Sequence, residues 1–349
     1  MTTPWGYADF DAHEDLYFIS DTATGLRAII AVHSTHLGPA AGGTRFWHYA
    51  EDEQALADAL RLSRGMSYKN AMAGLALGGG KAVILADEAR TKSPELLAAF
   101  GKAVGNLGGR YVTAEDVGMS VQDMIEIARQ TKFVAGLPTA GGEVGGDPGP
   151  HTSLGVFLGL KAAVRRALGK DSVQGLHIAI QGAGSVASGL ALHASAEGAR
   201  ISVADVDEAK AKKLADATGG SVVPPDEILG MEADVLSPCA LGAVLDENTI
   251  AALRAPVVAG GANNQLAGPG DGQRLHGRNI LYAPDYVINA GGIINICTEY
   301  LNDGDASLVR TRIEGIPDRL EQIWAESASS GRDPATVADA MAQRLIGRA

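Results

Sequence analysis

Apolar positions along the chain follow two habits: short continuous runs that suit buried strands, and stripes at helical spacing. Residues 16–20 and 27–32 read as a pair of strands joined through the turn-rich link Asp21-Thr-Ala-Thr-Gly25. A helix then begins near Glu51 and Asp52, acids favourable at its positive end, and runs towards Met66. Leu56, Ala59 and Leu60 fall on its apolar face, and Glu53, Asp58 and Arg61 on the side assigned to solvent. The run Ala82-Val-Ile-Leu-Ala86 predicts a buried strand immediately behind Lys81. Ser93-Pro-Glu95 opens a helix to about residue 107, with serine as cap and proline in the first turn. Residues 110–114 form a short strand ending in Glu115-Asp116-Val-Gly118, and Ser120 with Asp123 starts a helix to about residue 129.

The pattern breaks at residues 136–150, where glycine and proline are too dense for regular structure; a hinge or active-site loop between domains is expected there. An apolar-faced helix from Thr152 to about residue 168 leads into the second part. There, short apolar strands at 176–180 and 200–204, and near 234–236, 257–259 and 280–282, alternate with helices. That alternation predicts an open parallel sheet wound on both faces. The last stretch reads as helix from about Ile293, helix again over 307–330, a break at Gly331, and a final helix opened by Asp333-Pro334.

With 349 residues, 46% of them hydrophobic and 20% charged, the chain has enough core for two domains. A formal charge of −12 argues against a nucleic-acid-binding surface, but leaves room for the few local cations that an anionic small substrate needs. No apolar run reaches membrane-spanning length, and the N-terminus lacks the features of a signal peptide. Cys239 and Cys297 lie in apolar contexts as free thiols, which suits a cytoplasmic protein. The eight histidines show no ligand spacing, so no metal site is expected.

Candidate chemistry concentrates in Gly65-Met-Ser-Tyr-Lys69 and Leu77-Gly-Gly-Gly-Lys81. A lysine at the mouth of a buried strand is poor for stability, because desolvation disfavours its charge, and useful for proton transfer for the same reason. An ordinary surface role is the alternative for both lysines. A phosphate loop is excluded, because Leu75 stands where its first glycine belongs and Ala82 where its serine or threonine belongs. Asp116, at a strand end, is either a cap or a reactive carboxylate.

In the second part, Gln181-Gly-Ala-Gly-Ser-Val-Ala187 sits between a strand and a helix, and Asp205 ends the next strand about 20 residues on. Gly182 permits the tight turn, Gly184 lets a pyrophosphate approach the backbone, and the helix N-terminus offers N–H groups. Asp205 suits ribose hydroxyls and repels a 2′-phosphate, which favours NAD over NADP. Two further loops at strand ends carry neutral amides, Asn263 and Asn289, suited either to recognising a carboxylate or carboxamide or to simple turn formation.

Seven ordered motifs over nearly the whole chain carry a resemblance: Gly38-Pro-Ala-Ala-Gly-Gly-Thr-Arg45, Met66-Ser-Tyr-Lys-Asn70, Leu77-Gly-Gly-Gly-Lys81, Thr113-Ala-Glu-Asp-Val-Gly118, Pro238-Cys-Ala-Leu-Gly242, Gly261-Ala-Asn-Asn-Gln265 and Tyr282-Ala-Pro-Asp-Tyr-Val-Ile-Asn-Ala-Gly-Gly292. Together they resemble the Glu/Leu/Phe/Val amino acid dehydrogenases, the leucine dehydrogenases most of all. The resemblance implies an α/β chain of two domains. A mixed-sheet substrate-binding and oligomerisation domain covers 1–138, a Rossmann-type doubly wound NAD domain covers 139–325, and a C-terminal helix over 326–349 returns to the first. It further implies reversible NAD-dependent oxidative deamination of an L-amino acid to a 2-oxo acid and ammonia.

Under that resemblance Lys69 holds the substrate carboxylate, Lys81 does acid–base work on the attacking water, and Asp116 exchanges protons at the substrate nitrogen. Gly42, Gly43, Ala41, Met66 and Ala114 belong around the substrate. Asn263 supports both substrate and cofactor, Thr152 holds the nicotinamide carboxamide, and Ser185, Val186 and Asn289 complete the cofactor contacts. Glycines 78–80 are expected to let the substrate come close. Glutamate-specific members carry a lysine where this chain has Ala41, so branched-chain aliphatic substrates are expected. A phenylalanine dehydrogenase and a catalytically silent NAD-binding regulator remain the alternatives. The chain ends at Ala349 without the tail of the leucine dehydrogenases, which leaves a dimer open beside their octamer.

Overall fold

Strands β1 (Asp15–Asp21) and β2 (Leu26–Ser34) form an antiparallel hairpin, and β2 continues antiparallel onto β4 (Gly78–Leu85). On the other side of β4 lie β3 (Ala40–Trp47) and β5 (Tyr111–Glu115), both parallel, giving a mixed sheet of order β1-β2-β4-β3-β5. Helix α1 (Asp52–Met72) covers one face, and α2 (Pro94–Asn106) and α3 (Val121–Ala128) cover the other. Alternation along the strands serves both layers. Ala28, Ile30, Val32, Ala82 and Ile84 pack towards Leu97, Phe100 and Met124, while Ile29, Ala31 and Val83 pack towards Ala55, Ala59 and Leu60. A sheet covered on both faces reads as unbroken apolar runs, which is why the Ala82 run is legible without alternation.

The computed structural model describes residues 3–138, 147–301 and 306–348. It divides into two units, Met1–Gly146 with Asn295–Val309 and Ala342–Ala349, and Asp147–Ile294 with Arg310–Met341. In the first unit Arg348 donates to the carbonyl oxygens of Asp11, Ala12 and His33. Residues 139–146 of the expected hinge lie outside the described residues.

The second unit carries a six-stranded, wholly parallel sheet of order β11-β10-β9-β6-β7-β8. In chain order its elements begin with α4 (Gly149–Leu168), β6 (His177–Gln181), α5 (Ser185–Ala196), β7 (Arg200–Ala204), α6 (Glu208–Thr218) and β8 (Ser221–Val222). They continue with β9 (Val235–Pro238), α7 (Glu247–Ala252), β10 (Val257–Val258), α8 (Asp271–Gly277), β11 (Leu281–Tyr282) and α9 (Asp285–Ile288). Helices α10 (Gly291–Leu301), α11 (Ala306–Glu314), α12 (Ile316–Ser330) and α13 (Pro334–Leu345) follow. Strand order reverses between β6 and β9, the position where such sheets bind ligands at the carboxyl ends of their strands.

Four local expectations need correction. β3 is a strand where the apolar pattern marks no element; Gly42 and Gly43 are paired with Thr113 and Ala114 of β5. α1 runs past Met66 to Met72, because Ser67, Tyr68 and Asn70 are buried and no breaker precedes Gly74, whose φ is +68°. Pro317, which cannot donate a backbone hydrogen bond, starts α12 and splits the helix expected over 307–330.

Glycines 78–80 lie inside β4, not before it. Their missing side chains make room for protein: a Cβ would fall 1.9 Å from the Ser34 carbonyl oxygen at Gly78 and 2.0 Å from the Ser67 nitrogen at Gly79. At Gly80 it would fall 2.7 Å from the Tyr111 ring. Close packing of β4 on β2, α1 and β5 therefore accounts for the run. Gly79→Ala is expected to lower stability by about 3 kcal/mol, since the opposing atoms are helix backbone. Denaturant unfolding checks this, and wild-type stability would show that α1 can move aside.

Candidate active site

Lys81 sits in the middle of β4, paired with Ala31 of β2 and pointing to the same face as Val83. It is only 5% exposed. The nearest anion comes from the turn after β5, where Asp116 Oδ2 accepts from Lys81 Nζ at 2.6 Å. β3 lies between these two strands and makes the meeting possible. A Cβ on Gly43 would stand 2.8 Å from the Asp116 Cβ and 2.7 Å from the Glu115 carbonyl oxygen. A side chain at that position would expel the carboxylate.

Burial pushes the Lys81 amine below the usual lysine range; Asp116 pulls it back up, and Arg45 lowers it again. For Asp116 burial acts upward, and Lys81 and Arg45 together outweigh it, leaving the carboxyl below its ordinary value. The carboxylate's contribution to stability is therefore present above the ordinary Asp range and is lost as pH falls through the lower folded value. An amine brought towards neutrality beside a persistent carboxylate can exchange protons in both directions.

The other residues expected around the substrate lie in the same unit. Met66 lies beside Gly42, 3.0 Å from where a Cβ would be, and Lys69 follows one helical turn later in the last turn of α1. Ala41 and Ala114 are buried in β3 and β5. Sequence reasoning missed the side chains that hold this backbone. Tyr111 donates its hydroxyl to the Gly42 carbonyl oxygen at 2.7 Å, and Asn70 donates to those of Gly78 at 2.6 Å and Ala41 at 3.4 Å. Arg45 and Asp58 were missed as well; Arg45 reaches Asp116 at 3.4 Å and Asp58 at 2.6 Å.

The second unit holds the glycine turn. Gly182 has φ +104°, which a side chain would strain, and abuts Cys239 and Ala240 at 3.0 Å. Gly184 meets nothing within 4 Å and caps α5 without a side-chain hydrogen bond. Ser185 and Val186 form the first turn of α5, and the Ser185 hydroxyl lies where a Cβ of Gly149 would fall. Asp205 accepts from the Ala183 N–H at 2.7 Å and the Asp207 N–H at 2.8 Å, so it also fixes the turn. Asn289 donates to Asn263 Oδ1 at 2.8 Å and to the Gly261 carbonyl oxygen at 3.2 Å, joining the two amide loops. Thr152 is in the first turn of α4, its hydroxyl bonded to the Pro148 carbonyl oxygen, with Gly292 packed against it. The buried Asn289 Oδ1 has no partner, and the space over Gly184 is open, so the turn and amides fit a dinucleotide. Among the described residues no cluster of three or more His, Cys, Asp or Glu side chains could hold a metal, and no helix is long and apolar enough to cross a membrane.

A dinucleotide-type parallel sheet and a substrate unit built around a buried lysine paired with an aspartate define a two-domain dehydrogenase. Residues 13–133 match the Glu/Leu/Phe/Val dehydrogenase dimerisation domain, and residues 202–342 match the Glutamate/Leucine/Phenylalanine/Valine dehydrogenase domain. A leucine dehydrogenase of Bacillus subtilis is 46% identical over 336 residues, covering 96% of this chain and 92% of that protein. A valine dehydrogenase of Streptomyces albus is 45% identical over 347 residues, 98% of this chain and 94% of that one. The crystal structure of L-tryptophan dehydrogenase from Nostoc punctiforme superposes with a TM-score of 0.85 at 39% identity, covering 96% of each chain. The chain belongs to the Glu/Leu/Phe/Val dehydrogenase family, the NAD-dependent amino acid dehydrogenases that its seven motifs resemble.

The geometry makes the Lys81 titration depend on its partner. Asp116→Asn removes the anion that raises the amine, so the Lys81 midpoint should fall further, by about one pH unit or more. Competitive acetylation with acetic anhydride, read at Lys81 by mass spectrometry across pH, measures it. An unchanged or higher midpoint would contradict the pairing.

Proposed function

We propose that the protein catalyses reversible NAD-dependent oxidative deamination of a branched-chain aliphatic L-amino acid, yielding the 2-oxo acid and ammonia. The observation that carries the chemistry is the pairing of buried Lys81 with half-buried Asp116 at 2.6 Å. Support for the substrate comes from the leucine and valine dehydrogenases at 44–46% identity and from Ala41, which leaves no charge for a second substrate carboxylate.

In this reading Lys69 binds the substrate carboxylate, with Gly42, Gly43, Ala41, Met66 and Ala114 shaping the space around it. The chemistry a bound NAD would supply is acceptance of the substrate Cα hydrogen as hydride. Gly182, Gly184, Ser185, Val186 and Asp205 hold its phosphate and ribose end. Thr152, Asn263 and Asn289 serve its carboxamide end, and Asn263 also serves the substrate carboxylate. Neutral Lys81 takes a proton from the water that adds to the substrate imine carbon. Asp116 removes a proton from the substrate ammonium beforehand and returns one to the nitrogen as ammonia leaves.

The working division is a substrate and assembly domain over 1–138, an NAD domain over 139–325 and a returning C-terminal segment over 326–349, of which Ala342–Ala349 group with the first unit and the part up to Met341 with the second. We further infer a cytoplasmic homo-oligomer, supported by the match to a dimerisation domain. An aromatic substrate is the second reading, favoured by the likeness to the tryptophan enzyme and by the small side chain of Ala41.

Initial rates with NAD on L-leucine, L-valine, L-isoleucine, L-phenylalanine, L-tryptophan and L-glutamate test the substrate; a preference for an aromatic or acidic residue overturns it. Lys81→Ala should lower kcat by roughly 10²–10⁴-fold with little change in NAD affinity. Near-wild-type turnover would remove Lys81 from catalysis.

A further inference from the structure

The side chains around Asp116 form a chain of alternating charge within the first unit: Lys81 on β4, Asp116 after β5, Arg45 on β3, and Asp58 on α1. Lys81 Nζ and Arg45 Nε both address the same oxygen, Asp116 Oδ2, at 2.6 and 3.4 Å. The guanidinium is fixed at its other end, where Nη1 donates to Asp58 Oδ2 at 2.6 Å. Asp58 is held in turn by the Tyr49 hydroxyl at 2.8 Å and by Arg61 at 3.0 Å. Arg45 and Asp58 side chains are 22% and 18% exposed, so this is not a screened surface pair.

We propose that Arg45 is a positioning residue for the proton-handling pair: anchored by Asp58, its guanidinium holds the Asp116 carboxylate in place and sets a second cation beside Lys81. The proposal rests on the reading of Lys81 and Asp116 as the groups that move protons. A carboxylate bound by Lys81 alone would move with that amine and would lock the proton on it. A carboxylate shared with an arginine stays put and remains ionised when the amine turns neutral, because a guanidinium keeps its charge throughout the working range. The groups facing Lys81 act in opposite directions. Burial lowers the amine, Asp116 raises it, Arg45 lowers it, and Asp58 raises it less than Arg45 lowers it. Tyr111 of β5, whose hydroxyl is raised by burial, and Tyr49, raised by burial and by Asp58, remain neutral beside the pair. Removing Arg45 leaves Asp116 with Lys81 as its ion-pair partner, while Arg61 still holds Asp58, so Lys81 keeps its proton to higher pH.

The test compares Arg45→Gln, Arg45→Lys and the double variant Arg45→Gln/Asp58→Asn with the wild type. Two readouts are used: the pH profile of kcat/KM for deamination, and the midpoint of Lys81 acetylation by acetic anhydride, which needs no turnover. Arg45→Gln should move the ascending limb and the Lys81 midpoint upward by about one pH unit. At neutral pH kcat should fall about tenfold, with the KM for NAD unchanged, and Arg45→Lys should return the limb towards the wild-type position. The double variant serves if the single one fails to fold, since it removes the Asp58 charge together with its Arg45 partner; its shift has the same sign and is smaller. A Lys81 midpoint unmoved in every folded variant overturns the proposal. A midpoint that moves while Lys81→Ala keeps full turnover upholds the coupling and overturns the catalytic reading instead.

Discussion

A lysine ammonium buried in the middle of a strand must be met by an anion, and Asp116 meets Lys81 at 2.6 Å. Such a pair is a weak device for stability, because desolvating both charges consumes most of what their attraction returns. Losing Asp116 is nevertheless severe, at about 3–5 kcal/mol, since Lys81 is left buried without its anion. Much of the first unit follows from satisfying this demand. β3 must pass between β4 and β5 without a side chain at Gly43, and the β5 strand must end where Asp116 can turn inward. Asp116 then needs a second cation to stay ionised under burial, and Arg45 of β3 supplies it.

The glycines divide by task once their surroundings are known. At 78–80 a Cβ would strike Ser34, Ser67 or Tyr111, so these residues close the packing of β4 and leave the approach to Lys81 to others. Gly42 does the same against Gly80 and Met66. Gly182 is required by its positive φ and its contact with Ala240, whereas Gly184 faces open space. Of these glycines, Gly184 alone leaves open space of the kind a phosphate approaching the backbone requires.

Much of this was legible in the chain. Lys81 and Asp116 stood out because charged residues interrupt apolar runs, and the glycine turn stood out because strand, helix and acid followed in order. Arg45 and Asp58 were not legible. Periodicity gives the angle at which Asp58 leaves α1, but not which strand covers that angle, so it was assigned to solvent. β3 was lost for a related reason: its paired glycines carry no strand propensity, and its pairing with β4 and β5 is non-local. The end of α1 was misplaced because Ser67 and Asn70 are weak helix formers held by burial and by hydrogen bonds to His33 of β2 and Gly78 of β4, which a local reading cannot weigh. Pro317 could have been read, since proline at a first helical turn predicts a new start instead of a continuous helix.

The two units use opposite electrostatic means. In the first, net charge is concentrated and paired: Lys81, Asp116, Arg45 and Asp58 sum to zero, so a proton can leave Lys81 without creating an unmatched anion far from a cation. In the second, the work falls to neutral amides, to N–H groups at the start of α5 and to one carboxylate, Asp205. Asp205 bonds the Ala183 and Asp207 N–H groups, so the acid that would select the ribose also shapes the turn that would take the phosphate. Selection and turn geometry are therefore one structural property. Its charge stays fixed in place because its own oxygens are tied to the backbone, leaving their remaining lone pairs directed by the fold. On the proposed reading, proton chemistry falls to the paired charges of the first sheet, and cofactor recognition to the amides, N–H groups and Asp205 of the second.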